Sequence, residues 1–198
     1  MHQRAQPRGE TTPSRGDTIC QPKLPAHISP RGEVMESKSK VFGHPAHTLL
    51  VVFPLGLLMT SVVFDLLARG EKKAERAKTA QAMIGAGVIG GLLAAPPGWW
   101  DWFFIPHGTR AKRVGLVHGV GNVIVLGFFA LSWLARRKDP ANPSRKAKTL
   151  SLTGAVLVGG TAWLGGELVN RLGIGVDKGA NPNAPFRLVK KRKFLGLF

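Results

Sequence analysis

The sequence predicts an all-α protein in which four transmembrane helices form an up-down bundle between polar, disordered tails. Four stretches contain no Asp, Glu, Lys or Arg, and they cover residues 41–64, 79–100, 114–135 and 149–166. Each has 18 to 24 residues. A helix needs about 20 apolar residues to cross a hydrocarbon layer of about 30 Å. The charged residues between these stretches are confined to short bands, which is the pattern of spanning helices joined by loops.

A soluble four-helix bundle is the main alternative, and it requires a polar face along each helix. The runs VVFPLGLLMTSVVF and VIVLGFFALSWLA contain no such face. An open sheet is excluded within the bilayer because its edges would leave backbone groups without partners. We therefore expect helices at about 45–68, 79–98, 114–135 and 149–170.

Small residues recur four positions apart in helices two, three and four, as in Gly87 with Gly91, Gly115 with Gly119, and Thr161 with Gly165. This spacing places them on one face, where they allow close packing of neighbouring helices. The pair Pro96 and Pro97 lacks two backbone donors, so we expect helix two to end there.

Polar tails flank the four-helix domain, which we place at residues 41–172. Residues 1–34 are rich in Pro, Gly and polar side chains and have no apolar run, so we expect a disordered tail up to residue 40 and no signal peptide. Met35 opens a short polar lead into helix one, and we expect translation to begin there. Cys20 then has no assigned role. Residues 173–198 form a second tail whose basic cluster, 190–193, suits contact with anionic lipid or with solvent.

The chain is strongly basic, with 28 Lys and Arg against 11 Asp and Glu and a formal net charge of +17. The confinement of these charges to loops and tails indicates a membrane protein and argues against a nucleic-acid partner. Eleven basic residues lie in the loops after helices one and three, against seven close to the helix ends on the opposite side. Since basic loops favour the cytoplasmic side, we expect both termini to face outward from a bacterial cytoplasmic membrane.

Because consecutive helices run in opposite directions, four helix ends meet at one membrane surface. These ends hold most of the unusual polar and aromatic side chains: His44, His47, Trp99, Trp100, Asp101, Trp102, His118, Asn122, Glu167 and Arg171. The tryptophans are also consistent with an ordinary interfacial belt. The pairs Glu167 with Arg171 and Asp65 with Arg69 are spaced for simple ion pairs. Ionisable residues near spanning segments are costly, however, so their convergence favours a functional site.

Imidazoles at similar depth in two helices predict a cofactor site, with His47 and His118 as axial ligands of a b-type haem. Its other members would be the aromatic and polar side chains at the same helix ends: Trp99, Trp102, Asn122 and Glu167. A quinone or a lipid headgroup is a second interpretation, with His118 or Glu167 hydrogen-bonding the ligand. A metal ion held by His44, His47 and His118 is a third. The sequence contains no HExxH motif, and we find no phosphate-binding loop or Ser-His-Asp arrangement.

Several segments, in order, resemble the bacterial membrane family called domain of unknown function 2231. They are GHPAHTLLVVFPLGLLMTSVVFDLL, GWWDWFFIPHGTRAKRVGLVHGVGN, LSWLARR and AWLGGELVNRLGIGVD, within residues 35–178. The resemblance implies a four-helix integral membrane protein. Some relatives resemble fusions with Rieske iron–sulfur domains, which implies membrane redox work. The family's histidine and acidic positions would correspond to His44, His47, His118, Asp65, Asp101 and Glu167.

Three functions therefore remain open. The first is a redox-linked subunit that binds haem b or quinone at the outer face and meets a membrane redox partner. The second is a non-enzymatic scaffold or accessory protein in which the polar cluster locks the helix ends together. The third is a metal-dependent membrane hydrolase with Asp101 and Glu167 as carboxylate partners of zinc. The sequence assigns no reaction, substrate or oligomeric state.

Overall fold

The structure, a computed structural model, describes residues 34–178 and residue 180. It contains four long helices, Ala46–Leu67 (α1), Lys73–Phe103 (α2), Arg110–Arg136 (α3) and Arg145–Asn170 (α4). Two short antiparallel strands, Lys40–Val41 (β1) and His44–Pro45 (β2), form a hairpin before α1. The predicted all-α fold class is confirmed. The predictions for residues 1–33 and 181–198 lie outside the described residues.

The helices form a bundle in which α1 packs on α2, α2 on α3, α3 on α4 and α4 on α1. All four are long and apolar enough to cross a membrane. A single turn of 3₁₀ helix, Gly70–Lys72, leads directly into α2. Helices α2, α3 and α4 begin before their uncharged segments, and their first turns include basic residues of the preceding loops.

Side-chain caps define the starts of α3 and α4. The hydroxyl of Thr109 accepts a hydrogen bond from the Lys112 backbone N–H at 3.1 Å. The hydroxyl of Ser144 accepts one from Ala147 N–H at 3.2 Å. Each cap satisfies a backbone donor that the first turn of a helix leaves free, so these loops end at fixed positions.

The expectation that Pro96 and Pro97 end the second helix is wrong. Both prolines lie inside α2, which continues to Phe103. Proline removes a backbone donor, but an unwound chain within a membrane would expose several more backbone groups to lipid. Neighbouring helices can support a proline-containing helix there, so the less costly solution is to remain helical.

An apolar cluster fills the middle of the bundle, and all four helices contribute to it: Leu58, Val62, Ile84, Val125, Phe129, Ala155 and Val158. Large apolar side chains also cover the outer surface, including Val52, Phe53, Ile89, Leu92, Val123, Leu131, Val156 and Trp163. Soluble monomers rarely expose so much continuous apolar surface. The outer surface is therefore suited to lipid, and the polar interior positions lie towards the two ends of the bundle.

Candidate functional site

The amino ends of α1 and α3 and the carboxyl ends of α2 and α4 lie together, and we call this region the histidine end. The ring centres of His47 in α1 and His118 in α3 are 6.3 Å apart, with nearly perpendicular planes. Arg110 at the start of α3 pairs with Glu167 near the end of α4 at 2.7 Å. Alternation of helix direction thus brings together side chains that are far apart in the sequence.

Each imidazole is held by a backbone carbonyl of a neighbouring helix. His47 Nδ1 lies 2.8 Å from the oxygen of Ala94 in α2, and His118 Nδ1 lies 2.9 Å from the oxygen of Thr161 in α4. A carbonyl oxygen only accepts, so Nδ1 must carry the proton in both rings. In the neutral imidazoles Nε2 is then unprotonated, so it can either accept a hydrogen bond or bind a metal ion. Asn122 Nδ2 lies 3.2 Å from His118 Nε2 and donates to it.

Glycines make room for the two imidazole rings. A Cβ atom at Gly98 would lie 2.7 Å from His47 Nδ1. One at Gly165 would lie 3.0 Å from His118 Cε1. Real Cβ atoms almost never come within 3.0 Å of another heavy atom, so a side chain at Gly98 would displace the His47 ring, and one at Gly165 would press on the His118 ring. The absence of a side chain at Gly98 and Gly165 is therefore part of what positions the histidine pair.

Trp99 and Trp102 pack against α3 through two further glycines. A Cβ atom at Gly119 would lie 2.9 Å from the Trp99 ring, and one at Gly115 would lie 2.8 Å from the Trp102 ring. The two indoles meet edge to face, with centres 5.4 Å apart. The structure thus places both predicted site tryptophans in the contact between α2 and α3. Trp99 packs against Gly119, the residue that follows His118.

Lys112 closes the carboxyl end of α2. Its ammonium donates to the carbonyls of Trp102 at 2.7 Å and Phe103 at 3.3 Å, and lies 3.9 Å from the Trp102 ring centre. In return, Trp102 Nε1 donates to the Lys112 carbonyl at 3.0 Å. The last carbonyls of a helix lack internal partners, so a buried lysine stabilises this end through hydrogen bonds and its charge.

Glu167 is almost fully buried at the histidine end, and two arginines reach it. Its Oε1 lies 2.7 Å from Arg110 Nη2, and its Oε2 lies 3.7 Å from Arg171 Nη1. The predicted pairing with Arg171 is therefore present, but the shorter contact is with Arg110. The approach of Arg110 to Oε1 is not aligned as a hydrogen bond, so this oxygen keeps its acceptor capacity.

The structure does not support a metal site made by His44, His47 and His118. His44 is exposed, and its Nδ1 lies 3.1 Å from the carbonyl of Phe42 in its own hairpin turn. Across the described part of the chain, no group of three or more His, Cys, Asp and Glu side chains is placed to hold a metal ion. Of the predicted ligands, the structure brings together only His47 and His118.

Residues 34–41, which we call the N-terminal strap, cross the histidine end. The Asp101 carboxylate in α2 accepts a hydrogen bond from Ser37 Oγ–H at 2.6 Å. It also accepts from the backbone N–H groups of Lys38 and Ser39, at 2.7 and 3.1 Å. Met35 pairs with the segment after α4, accepting from Gly175 N–H at 2.7 Å. Residues 34–40 and Gly175 fall in the predicted polar tails, whose composition gave no sign of these contacts.

The opposite end of the bundle, which we call the Asp65 end, contains a buried ion pair. Arg136 Nη1 and Nη2 bind Asp65 Oδ1 and Oδ2 at 2.7 and 2.6 Å, and the guanidinium is 0% exposed. Ser132, Ser151 and the Ala147 carbonyl complete the cluster. Asp65 therefore pairs with Arg136. The i,i+4 spacing had suggested Arg69 as its partner.

Sequence reasoning missed Arg136 because this residue directly follows an uncharged segment and was counted with the loop. A usable signal was present. Asp65 and Arg136 each lie just beyond the end of an uncharged segment, in helices one and three, which run in the same direction. Opposite charges at matching depth in parallel-running helices are candidates for a pair.

Comparison with known proteins gives a family but no assigned function. No curated protein and no solved structure matches the chain. A family model described as "Predicted membrane protein (DUF2231)" matches residues 43–178. This range includes all four helices and more than half of the chain. The resemblance found in the sequence is therefore confirmed, and the chain belongs to the DUF2231 family of membrane proteins.

Proposed function

We propose that this protein is a redox-linked subunit of the bacterial cytoplasmic membrane that holds a b-type haem between His47 and His118. Both termini face outward in this proposal, so the haem lies towards the outer surface. The excess of basic residues in the loops of the Asp65 end supports this orientation. Burial of Arg136 removes one residue from that excess without reversing it.

The proposal rests chiefly on the geometry of the histidine pair. One metal ion can be held by two imidazoles only where neighbouring helices bring the two rings close together inside the bundle. The centres of His47 and His118 are 6.3 Å apart. Both rings are also the Nδ1–H tautomer, and a backbone carbonyl fixes the orientation of each ring, as hydrogen-bond partners of metal-binding histidines do.

The residues around the pair have distinct roles in this proposal. His47 and His118 would hold the haem iron, and Asn122 would either give up its hydrogen bond to His118 Nε2 or hold a haem substituent. Haem iron exchanges one electron between its ferrous and ferric states. An electron carrier of this kind needs a membrane redox partner, for which a quinol or another haem or iron–sulfur subunit is chemically suitable.

The absorption spectrum of the detergent-purified protein tests the proposal. We expect a Soret band from protein produced in cells supplied with a haem precursor, and its loss in His47→Ala and in His118→Ala. His44→Ala and His107→Ala are matched controls, because both imidazoles are exposed and lie outside the pair. A colourless wild-type protein, or a band that survives both variants of the pair, would contradict haem binding.

A scaffold is the second candidate, and one observation favours it. His47 links α1 to α2, and His118 links α3 to α4, through hydrogen bonds that need no ligand. In this case His47→Ala and His118→Ala would lower the unfolding temperature of a colourless protein. A quinone extracted with the wild-type protein and absent from His118→Ala would instead assign the pair to quinone binding.

A further inference from the structure

Two exposed arginines at the histidine end share one buried carboxylate. Arg110 and Arg171 both reach Glu167, at 2.7 and 3.7 Å. The Glu167 side chain is 3% exposed, whereas the arginines are 55% and 73% exposed. Glu167 thus anchors two cations at the surface and neutralises only one of them, which leaves a net positive charge.

Most donors of the two guanidiniums remain available. Each guanidinium carries five N–H groups in a planar fork. In the part of the chain that the structure describes, neither side chain has a polar partner other than Glu167. Forked donors of this kind match the oxygens of a phosphate group, and two of them can share one phosphate.

An open apolar surface continues from these arginines along α4 towards the middle of the membrane. Val156, Gly160, Trp163 and Glu167 are spaced so that they follow one helix face. Trp163 is 65% exposed. A Cβ atom at Gly159 or Gly160 would meet no heavy atom within 4 Å, so the surface beside the indole is open.

We propose that this surface binds an anionic phospholipid. Its phosphate lies between Arg110 and Arg171, and one acyl chain follows Gly159 and Gly160 beside Trp163. We call these residues the lipid surface. This inference is independent of the haem proposal, since it uses neither histidine.

Charge selects this ligand over other lipids, and the apolar surface selects it over free phosphate. A zwitterionic headgroup brings an ammonium ion towards a site that already has a net positive charge, whereas an anionic headgroup does not. Basic pockets between spanning helices bind anionic headgroups for this reason. Inorganic phosphate offers the same oxygens but no chain for the apolar surface, so Trp163 distinguishes the two sources.

Thermal unfolding of the full chain in detergent tests the proposal. We expect added phosphatidylglycerol to raise the unfolding midpoint by about 5 °C, and phosphatidylcholine or sodium phosphate to raise it far less. Arg171→Ala should lose at least half of this shift, and Trp163→Ala should reduce it. Arg113→Ala should retain the shift. This substitution removes the same charge from an exposed arginine of α3, but Arg113 does not contact Glu167.

A second arginine variant separates ligand binding from folding. Arg171→Lys keeps a cation beside Glu167 but loses the forked donors of the guanidinium. This variant should therefore fold normally but bind phosphatidylglycerol less well than the wild-type protein. Equal shifts with phosphatidylcholine, or an unchanged shift in both Arg171 variants, would overturn the proposal. A full shift with sodium phosphate that is insensitive to Trp163→Ala would also overturn it, in favour of free phosphate.

Discussion

Asp65 and Arg136 form the most deeply buried ion pair of the described bundle, with two short hydrogen bonds between them. Their charges lie at the end of spanning helices, where isolated ions are costly. Arg136 has further partners in Ser132 and Ser151, so the cluster is well satisfied. Replacing both members of such a pair with apolar residues changes the stability of the fold little. Removing only one member is destabilising, because it leaves the other charge buried and unpaired.

We therefore expect Asp65→Ala to destabilise the protein by about 3–5 kcal/mol. Replacing both charges, as in Asp65→Ala with Arg136→Leu, should recover part of that loss because no buried charge remains. Unfolding in detergent followed by circular dichroism measures both effects. Glu71→Ala removes an exposed acid near the same end and should have almost no effect. An Asp65→Ala protein as stable as wild type would show that the pair is not formed.

Gly98 provides a test of the histidine pair that leaves both imidazoles in the sequence. A Cβ atom there would lie 2.7 Å from His47 Nδ1, so we expect Gly98→Ala to displace the ring and to cost about 1–3 kcal/mol. Gly127→Ala is the matched control, since its Cβ atom would meet no heavy atom within 4 Å. Unfolding midpoints of the two variants give the comparison, and equal midpoints would be inconsistent with the observed packing.

At the scale of elements, the four spanning helices follow from hydropathy, because each must satisfy its backbone internally and present apolar side chains to lipid. Their ends do not follow from it. The Thr109 cap and the contacts of Lys112 with the last carbonyls of α2 decide where these helices begin and end, and they are hydrogen bonds of single polar side chains that a hydropathy pattern does not report. The same limit applies to Pro96 and Pro97, where packing within the bundle outweighed the local preference to end a helix.

The candidate site divides in the same way. The sequence located the histidines, tryptophans and Glu167 at one end of the bundle, because helix direction alternates. It did not give the partners of these side chains, since a carbonyl such as that of Ala94 or a glycine such as Gly165 has no distinctive sequence signal. The nearest neighbour of Glu167 was missed for a related reason, as Arg110 lies on another helix.

One carboxylate holds the middle of the N-terminal strap. Asp101 accepts three hydrogen bonds from Ser37, Lys38 and Ser39. We expect Asp101→Ala to release these residues and to increase amide hydrogen exchange at Lys38 and Ser39 by about tenfold or more, since each lost bond is worth about 1–3 kcal/mol. Asp139→Ala, in the loop at the opposite end, should leave their exchange unchanged. Unaltered exchange in Asp101→Ala would mean that the strap is held by other contacts.

At the scale of the whole molecule, antiparallel threading gives the two ends different characters. One end has paired imidazoles, indoles and a carboxylate bridged by arginines, and the other has the Asp65–Arg136 cluster with the basic loops. An apolar core separates them. A cofactor held by His47 and His118 requires that α1 and α3 begin at the same membrane surface.

Sided labelling of single cysteines tests that requirement most directly. In a Cys20→Ser background, Phe42→Cys and His107→Cys report on the histidine end, and Glu71→Cys and Lys138→Cys report on the Asp65 end. With a membrane-impermeant maleimide on intact bacteria, we expect the first two cysteines to react and the last two to react only after permeabilisation. A Phe42→Cys protein and a His107→Cys protein that react from opposite sides would contradict the four-helix threading and the site built on it.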